Sequence, residues 1–292
     1  MNENALRMNL RRLWGLAAFA ALALGGFGIQ SALAGIADTK HNLGTSASVG
    51  GGRVNQFSGT DEICVFCHTP HGSDTSAAVP LWNRTLASPA SYSTYNSLGT
   101  SSLDGATAPV GSVSLACLSC HDGSQAMNTI INQPGSGSTN ATYAAGGWSG
   151  ANQTLGKINT VAMLDVDLKN DHPIGIQYAG GPIAATLPAA GSDYTGFKDP
   201  DFNLAKSAAL NGTQVWWVDT GTTGRQKTDM QLYTRTEAAF TGGTGTSSAI
   251  ASTVPQPYVE CASCHDPHSS TNPTFLRISN AGSAVCLACH IK

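Results

Sequence analysis

The eight cysteines of this chain fall into four pairs, and each pair is followed at once by a histidine. The copies are Cys64-x-x-Cys67-His68, Cys117-x-x-Cys120-His121, Cys261-x-x-Cys264-His265 and Cys286-x-x-Cys289-His290. Two thiols at this spacing can add across the two vinyl groups of a porphyrin, and the next histidine then falls beneath the iron as its proximal ligand. Zinc and thiol-redox sites also use Cys-x-x-Cys. Four copies that leave no cysteine over point instead to four covalent c-type haems.

The other four histidines are His41, His71, His172 and His268. Four irons closed on both faces need four distal ligands, so the count balances. Met127, Met163 and Met230 are the only methionines beyond the first residues that could replace one of them. His71 lies three residues after His68, and His268 three after His265, each behind a proline. A histidine so near its own motif is blocked by the porphyrin plane from the far face of its own haem, and must reach a neighbouring iron. The expected acceptors are the iron of His121 for His71 and the iron of His290 for His268. His41 and His172 would then serve the irons of His68 and His265. The spacing leaves open whether each ligand stays in its own unit, crosses to the other, or enters another subunit.

The chain repeats itself. His41 to Gly44 matches His172 to Gly175, Glu62 to Ser73 matches Glu260 to Ser270, and Ser114 to Leu118 matches Ser283 to Leu287. Each half reads as a leading histidine, a motif carrying an extra Pro-His, and a second motif beginning Cys-Leu. This is a two-haem unit used twice. The expected organisation is a signal peptide at 1–34, a first unit at 35–135 and a second at 136–292, with an insertion at about 177–257. Within the insertion, Gln214 to Asp219 and Asp229 to Arg235 read as short strands around a Gly-Thr-rich turn, and Phe202 to Leu210 as one turn or two of helix. Trp216 and Trp217 fit the buried side of a strand, and a porphyrin face is the other reading.

Arg7, Arg11 and Arg12, the apolar run from Leu13 to about Ile29, and Ala32-Leu33-Ala34 make a secretory leader. No later segment is apolar enough to span a membrane, so the mature protein is expected to be exported. Charged residues are 11% of the chain, against roughly 25% in an average soluble domain. So much Gly, Ser, Thr and Ala would suggest disorder in a bare polypeptide. Covalent haems change that expectation, because they can form the core themselves and make folding depend on them. The predicted fold is therefore mostly irregular coil with short helices at the motifs and a few short strands, wrapped around a stacked haem core. The formal net charge of −3 becomes more negative without the arginine-rich leader, and no basic patch points to nucleic acid. The aspartates at Asp165, Asp167 and Asp171 lack the spacing of a calcium loop and read as a solvated turn.

On these motifs the chain resembles the multihaem cytochromes with doubled Cys-x-x-Cys-His, and most of all the four-haem extracellular cytochromes that polymerise into nanowire filaments, the OmcE type. The matching segments are 41–44, 62–73, 114–121, 172–175, 260–270 and 283–290. The resemblance implies a continuous haem chain, a homopolymer built head to tail, and a histidine of one subunit ligating a haem of the next. It points to His41 as that ligand, with His172 as its repeat-equivalent. Minerals, electrodes or redox proteins are the implied acceptors, and an extracellular or cell-surface site the implied location, a periplasmic one being the alternative. Heterologous contacts of this kind propagate as a fibre unless their rotation closes a ring.

Eight histidines on four irons leave no position for a substrate, so the expected function is electron transfer and no catalytic residue is assigned. A monomeric periplasmic shuttle shares the same chemistry. A multihaem reductase would require one histidine not to be a ligand.

Overall fold

The computed structural model describes residues 35–44, 57–100, 103–135, 154, 162–181, 187–221, 224–235 and 255–291. The leader and part of the insertion lie outside them. Chain contacts separate Met1–Gly35 from Ile36–Lys292. No helix among the described residues is long and apolar enough to cross a membrane.

The insertion supplies the regular structure. Five strands, β1 (Ile176–Gln177), β2 (Ala205–Leu210), β3 (Thr213–Val218), β4 (Met230–Arg235) and β5 (Gln256–Val259), form one antiparallel sheet in the order β1-β5-β4-β3-β2. The strands expected at Gln214 and Asp229 are β3 and β4, paired through Trp216 with Leu232 and Val218 with Met230. The helix expected at Phe202 to Leu210 is not formed: Ala205–Leu210 is β2, fully paired to β3. Asn211 and Gly212 explain the difference. Their φ values of 49° and 78° make a two-residue hairpin turn whose twist suits the flanking strands. That turn commits the preceding residues to a strand, and the extended chain buries Ala205 and Ser207 on one face.

Ala205, Trp216, Val218, Met230 and Leu232 from the sheet join Tyr178 and Tyr194 in one apolar cluster, and Cys264 and Cys289 pack against it. Trp216 thus fills a strand's buried face, as the strand reading expects. A second cluster holds Trp82, Tyr92, Val110, Leu115 and Leu118, with Cys67 at its edge. A third, of Phe57, Phe66 and Met127, touches Cys120. Each small core therefore abuts a cysteine of at least one motif. Full burial of such apolar side chains is worth about 1.5–3 kcal/mol apiece.

Among the described residues the α-helices sit at the motifs. Cys64–Phe66 is a single 3-10 turn, while α1 (Ser112–His121), α2 (Cys261–Cys264) and α3 (Ala284–Cys289) carry the other three. A helical turn brings residues three apart onto one side, which presents both thiols of each pair together.

Candidate haem sites

Three motif histidines are oriented in the same way. His68 Nδ1 lies 2.8 Å from the Pro80 carbonyl oxygen, His121 Nδ1 2.7 Å from that of Ala162, and His265 Nδ1 2.7 Å from that of Thr274. A carbonyl oxygen can only accept, so Nδ1 carries the proton and Nε2 keeps its lone pair. This is how a metal-binding histidine is held, the outer hydrogen bond fixing both tautomer and ring direction. The fourth, His290, sits with its ring 4.4 Å from that of Phe202, and its backbone N–H donates to the Cys286 carbonyl at 2.9 Å.

The thiols approach one another in chain order. Cys67 lies close enough to Cys120 to interact electrostatically, Cys117 hydrogen-bonds Cys261, and Cys264 neighbours both Cys286 and Cys289. Burial, then Cys120, pushes the Cys67 thiol up to about 12. The Cys117 thiol is raised by its hydrogen bond to Cys261, with burial adding to it. The outer cysteines of the first and fourth motifs, Cys64 and Cys286, are exposed.

The step from the second motif to the third is clamped by buried charge. Arg235, at the end of β4, donates from Nη1 to Glu260 Oε1 at 2.8 Å, with side chains only 4% and 0% exposed. Its Nη2 donates to the Pro109 carbonyl at 2.9 Å. A Cβ at Gly111 would come within 2.7 Å of that Nη2, so a larger residue there would push against the clamped guanidinium. Ser114 in α1 donates to Glu260 Oε2 at 2.5 Å and accepts from the Cys261 N–H at 2.9 Å. Glu260 also caps α2 in a reciprocal box with Ser263. One carboxylate thus ties α1 to α2 directly beside Cys117 and Cys261.

The distal candidates divide into two groups. His268 faces His68, the ring centroids 6.2 Å apart and the planes 15° from parallel. His41 faces His121 at 6.0 Å, at 72°. Two imidazoles that share one ion, each nitrogen about 2 Å from it, hold their centroids roughly 6 Å apart, so both gaps fit a bound iron. Burial, followed by the His121 charge, lowers the pKa of His41 to about 4, which keeps its ring neutral at neutral pH. His71 and His172 are exposed. His172 Nδ1 lies 3.0 Å from the Pro173 carbonyl, and the His71 carbonyl accepts from Asn132 Nδ2 at 2.6 Å. These pairs differ from the expected acceptors, which were the iron of His290 for His268 and that of His68 for His41. The segment after His265 turns back through a bridge to Leu276 and a bond from the Asp266 N–H to the Phe275 carbonyl. That turn carries His268 toward the first motif.

Met127 and Met230 are taken up in apolar clusters, Met230 being fully buried. Asp165 and Asp167 accept from backbone N–H groups in their own turn, as a solvated turn would. Among the described residues no group of three or more His, Cys, Asp or Glu side chains is arranged to hold a metal ion.

Sequence reasoning missed the carbonyls of Pro80, Ala162 and Thr274, because a backbone acceptor has no residue signature. It also missed the Arg235–Glu260 clamp. The acidic residue ahead of each unit's first motif was visible, but the two copies do different work: Glu62 only accepts from the exposed Gly135 N–H at 3.0 Å.

Residues 256–292 match the family described as the doubled CXXCH motif, a span that holds the third and fourth motifs. No curated protein matches the chain. The motifs indicate covalent c-type haem binding, and the match supports a multihaem c-type cytochrome engaged in electron transfer.

Proposed function

We propose that the chain carries electrons over long distances through four closely packed c-type haems, each closed on both faces by histidine. Cys64, Cys67, Cys117, Cys120, Cys261, Cys264, Cys286 and Cys289 would hold the porphyrins through thioether bonds. His68, His121, His265 and His290 are the proximal ligands, and His41, His71, His172 and His268 the distal ones. Bound haem supplies one-electron Fe(III)/Fe(II) chemistry, tuned by its ligands, burial and hydrogen bonds. The polypeptide fixes the imidazoles by their Nδ1 protons and keeps substrate from the irons, so it acts as a conductor and not as an enzyme. What carries this reading is that thiols of successive motifs neighbour one another in chain order, Cys117 and Cys261 at the middle step being joined by a hydrogen bond.

The assembly we favour is an exported head-to-tail filament, extracellular or at the cell surface, that passes electrons to external acceptors. Its support is the contrast between closed inner motifs and open outer ones. Cys64 and Cys286 are exposed, and Leu287 and Ile291 beside the fourth motif are 45% and 51% exposed. His172, exposed and held by its Nδ1, is then the ligand given to a neighbour. The second reading, a monomeric periplasmic shuttle, draws on His41, whose ring is bonded to the Pro267 carbonyl of its own chain. No nucleic acid and no membrane span belong to either reading.

Negative-stain electron microscopy of the secreted, haem-loaded protein beside a His172→Ala variant tests the assembly. Filaments that shorten or vanish in the variant are the expected result. Compact single molecules at high concentration, with all four haems present, would leave the shuttle.

A further inference from the structure

The two halves of the duplication meet at the first motif. Opposite His68 stands not a residue of the first unit but His268 of the second, its ring nearly parallel at 6.2 Å. The same segment reaches the neighbouring pair. The Pro267 carbonyl accepts from the ring of His41, and Phe275 stacks on that ring at 4.3 Å and 7°. His41 in turn faces His121 at 6.0 Å. His268 is itself steadied by Asp266, whose Oδ1 lies 3.4 Å from His268 Nδ1. The His41 ring is thus bonded to a protein carbonyl, and the His268 ring has a carboxylate oxygen beside its Nδ1, which leaves the other nitrogen of each for a metal, the arrangement a ligating imidazole requires.

We propose that His268 is the distal ligand of the iron held by His68, and His41 that of the iron held by His121, so that the second two-haem unit closes the first haem of the first unit. The proposal rests on the haem reading and deepens it. The repeat had pointed to a self-contained pair in each half, with His268 serving the iron of His290. Here the halves are interlocked by a coordinate bond, and residues 266–275 act as a strap over the first two haems. Neither half then forms a complete set of haem sites alone.

The test uses the full-length holoprotein. Intact mass first counts the covalent haems; fewer than four would sink the underlying reading whatever the ligand pairing. In His268→Ala one haem is expected to gain carbon monoxide reactivity in the reduced state. A haem attached through a single thioether absorbs at a shifted wavelength, so Cys64→Ala marks the haem of His68 and Cys286→Ala that of His290. The carbon monoxide band of His268→Ala should move when Cys64→Ala is added and stay put with Cys286→Ala. Movement with Cys286→Ala alone, or no reactive haem in His268→Ala, overturns the pairing. Should His268→Ala fail to fold, His268→Met supplies a substitute ligand. Its iron–sulfur absorption should then track Cys64→Ala, and tracking Cys286→Ala overturns the proposal equally.

Discussion

Two leucines occupy the same place in the two repeats and meet opposite fates. Leu118, after Cys117, is completely buried among Trp82, Tyr92 and Leu115, whereas Leu287, after Cys286, is 45% exposed. The helix around Leu118 is ten residues long and tied to the third motif through Ser114 and Glu260. The helix around Leu287 has six residues and none buried. It is held chiefly from outside, by Asn203, whose Nδ2 donates to the Leu287 and Ala288 carbonyls at 2.9 and 3.1 Å and whose N–H donates to the Cys289 carbonyl at 2.8 Å. Cys-x-x-Cys-His therefore fixes the attachment chemistry and says little about how the motif is seated. The surroundings decide whether it becomes an insulated interior or an open end.

The sharpest way to break this contrast is at the inner junction. Glu260→Ala leaves the Arg235 guanidinium buried without its carboxylate and should cost about 3–5 kcal/mol, read as a lower urea midpoint. An unchanged midpoint would mean that the clamp carries no strain between the second and third motifs. Leu118→Ala should cost about 2–5 kcal/mol, because the cavity lies in a closed cluster. At the outer motif the effects shrink. Asn203→Ala removes two carbonyl contacts of about 1 kcal/mol each and should perturb the haem of His290 in redox titration while sparing the others. A shift spread over the other haems as well would show the ends to be coupled to the middle. Leu287→Ala should stay within about 0.5 kcal/mol, the usual range for an exposed position. A larger loss in dilute monomer would mean the residue is covered within its own chain.

The four Cys-x-x-Cys-His motifs were legible at once, since spacing and the exhaustion of cysteine are properties of sequence. The strands around Trp216 and Met230 were also legible, through their apolar content. The β2 strand was not, although Asn211-Gly212 is a strong hairpin signal; the reading of Phe202 to Leu210 as helix stopped one residue short of it. The facing of His68 by His268 and of His121 by His41 was not legible, because it depends on where a loop folds back. Nothing local in Asp266-Pro267-His268 says that Phe275 will turn the chain toward His41. The inner clamp joins Arg235 to Glu260 and Ser114, and such distant charge partners leave no trace in spacing.

The facing of His68 by His268 also has a temporal side. A chain exported from its N-terminus brings the first motif to the site of haem attachment ahead of residue 268. On this pairing the first haem to be bound is among the last to be closed. Its iron must spend part of maturation with one face open, sheltered or briefly occupied by something other than its final partner. A truncation lost late in synthesis would then announce itself at the opposite end of the sequence, as a reactive haem on a motif that is itself intact.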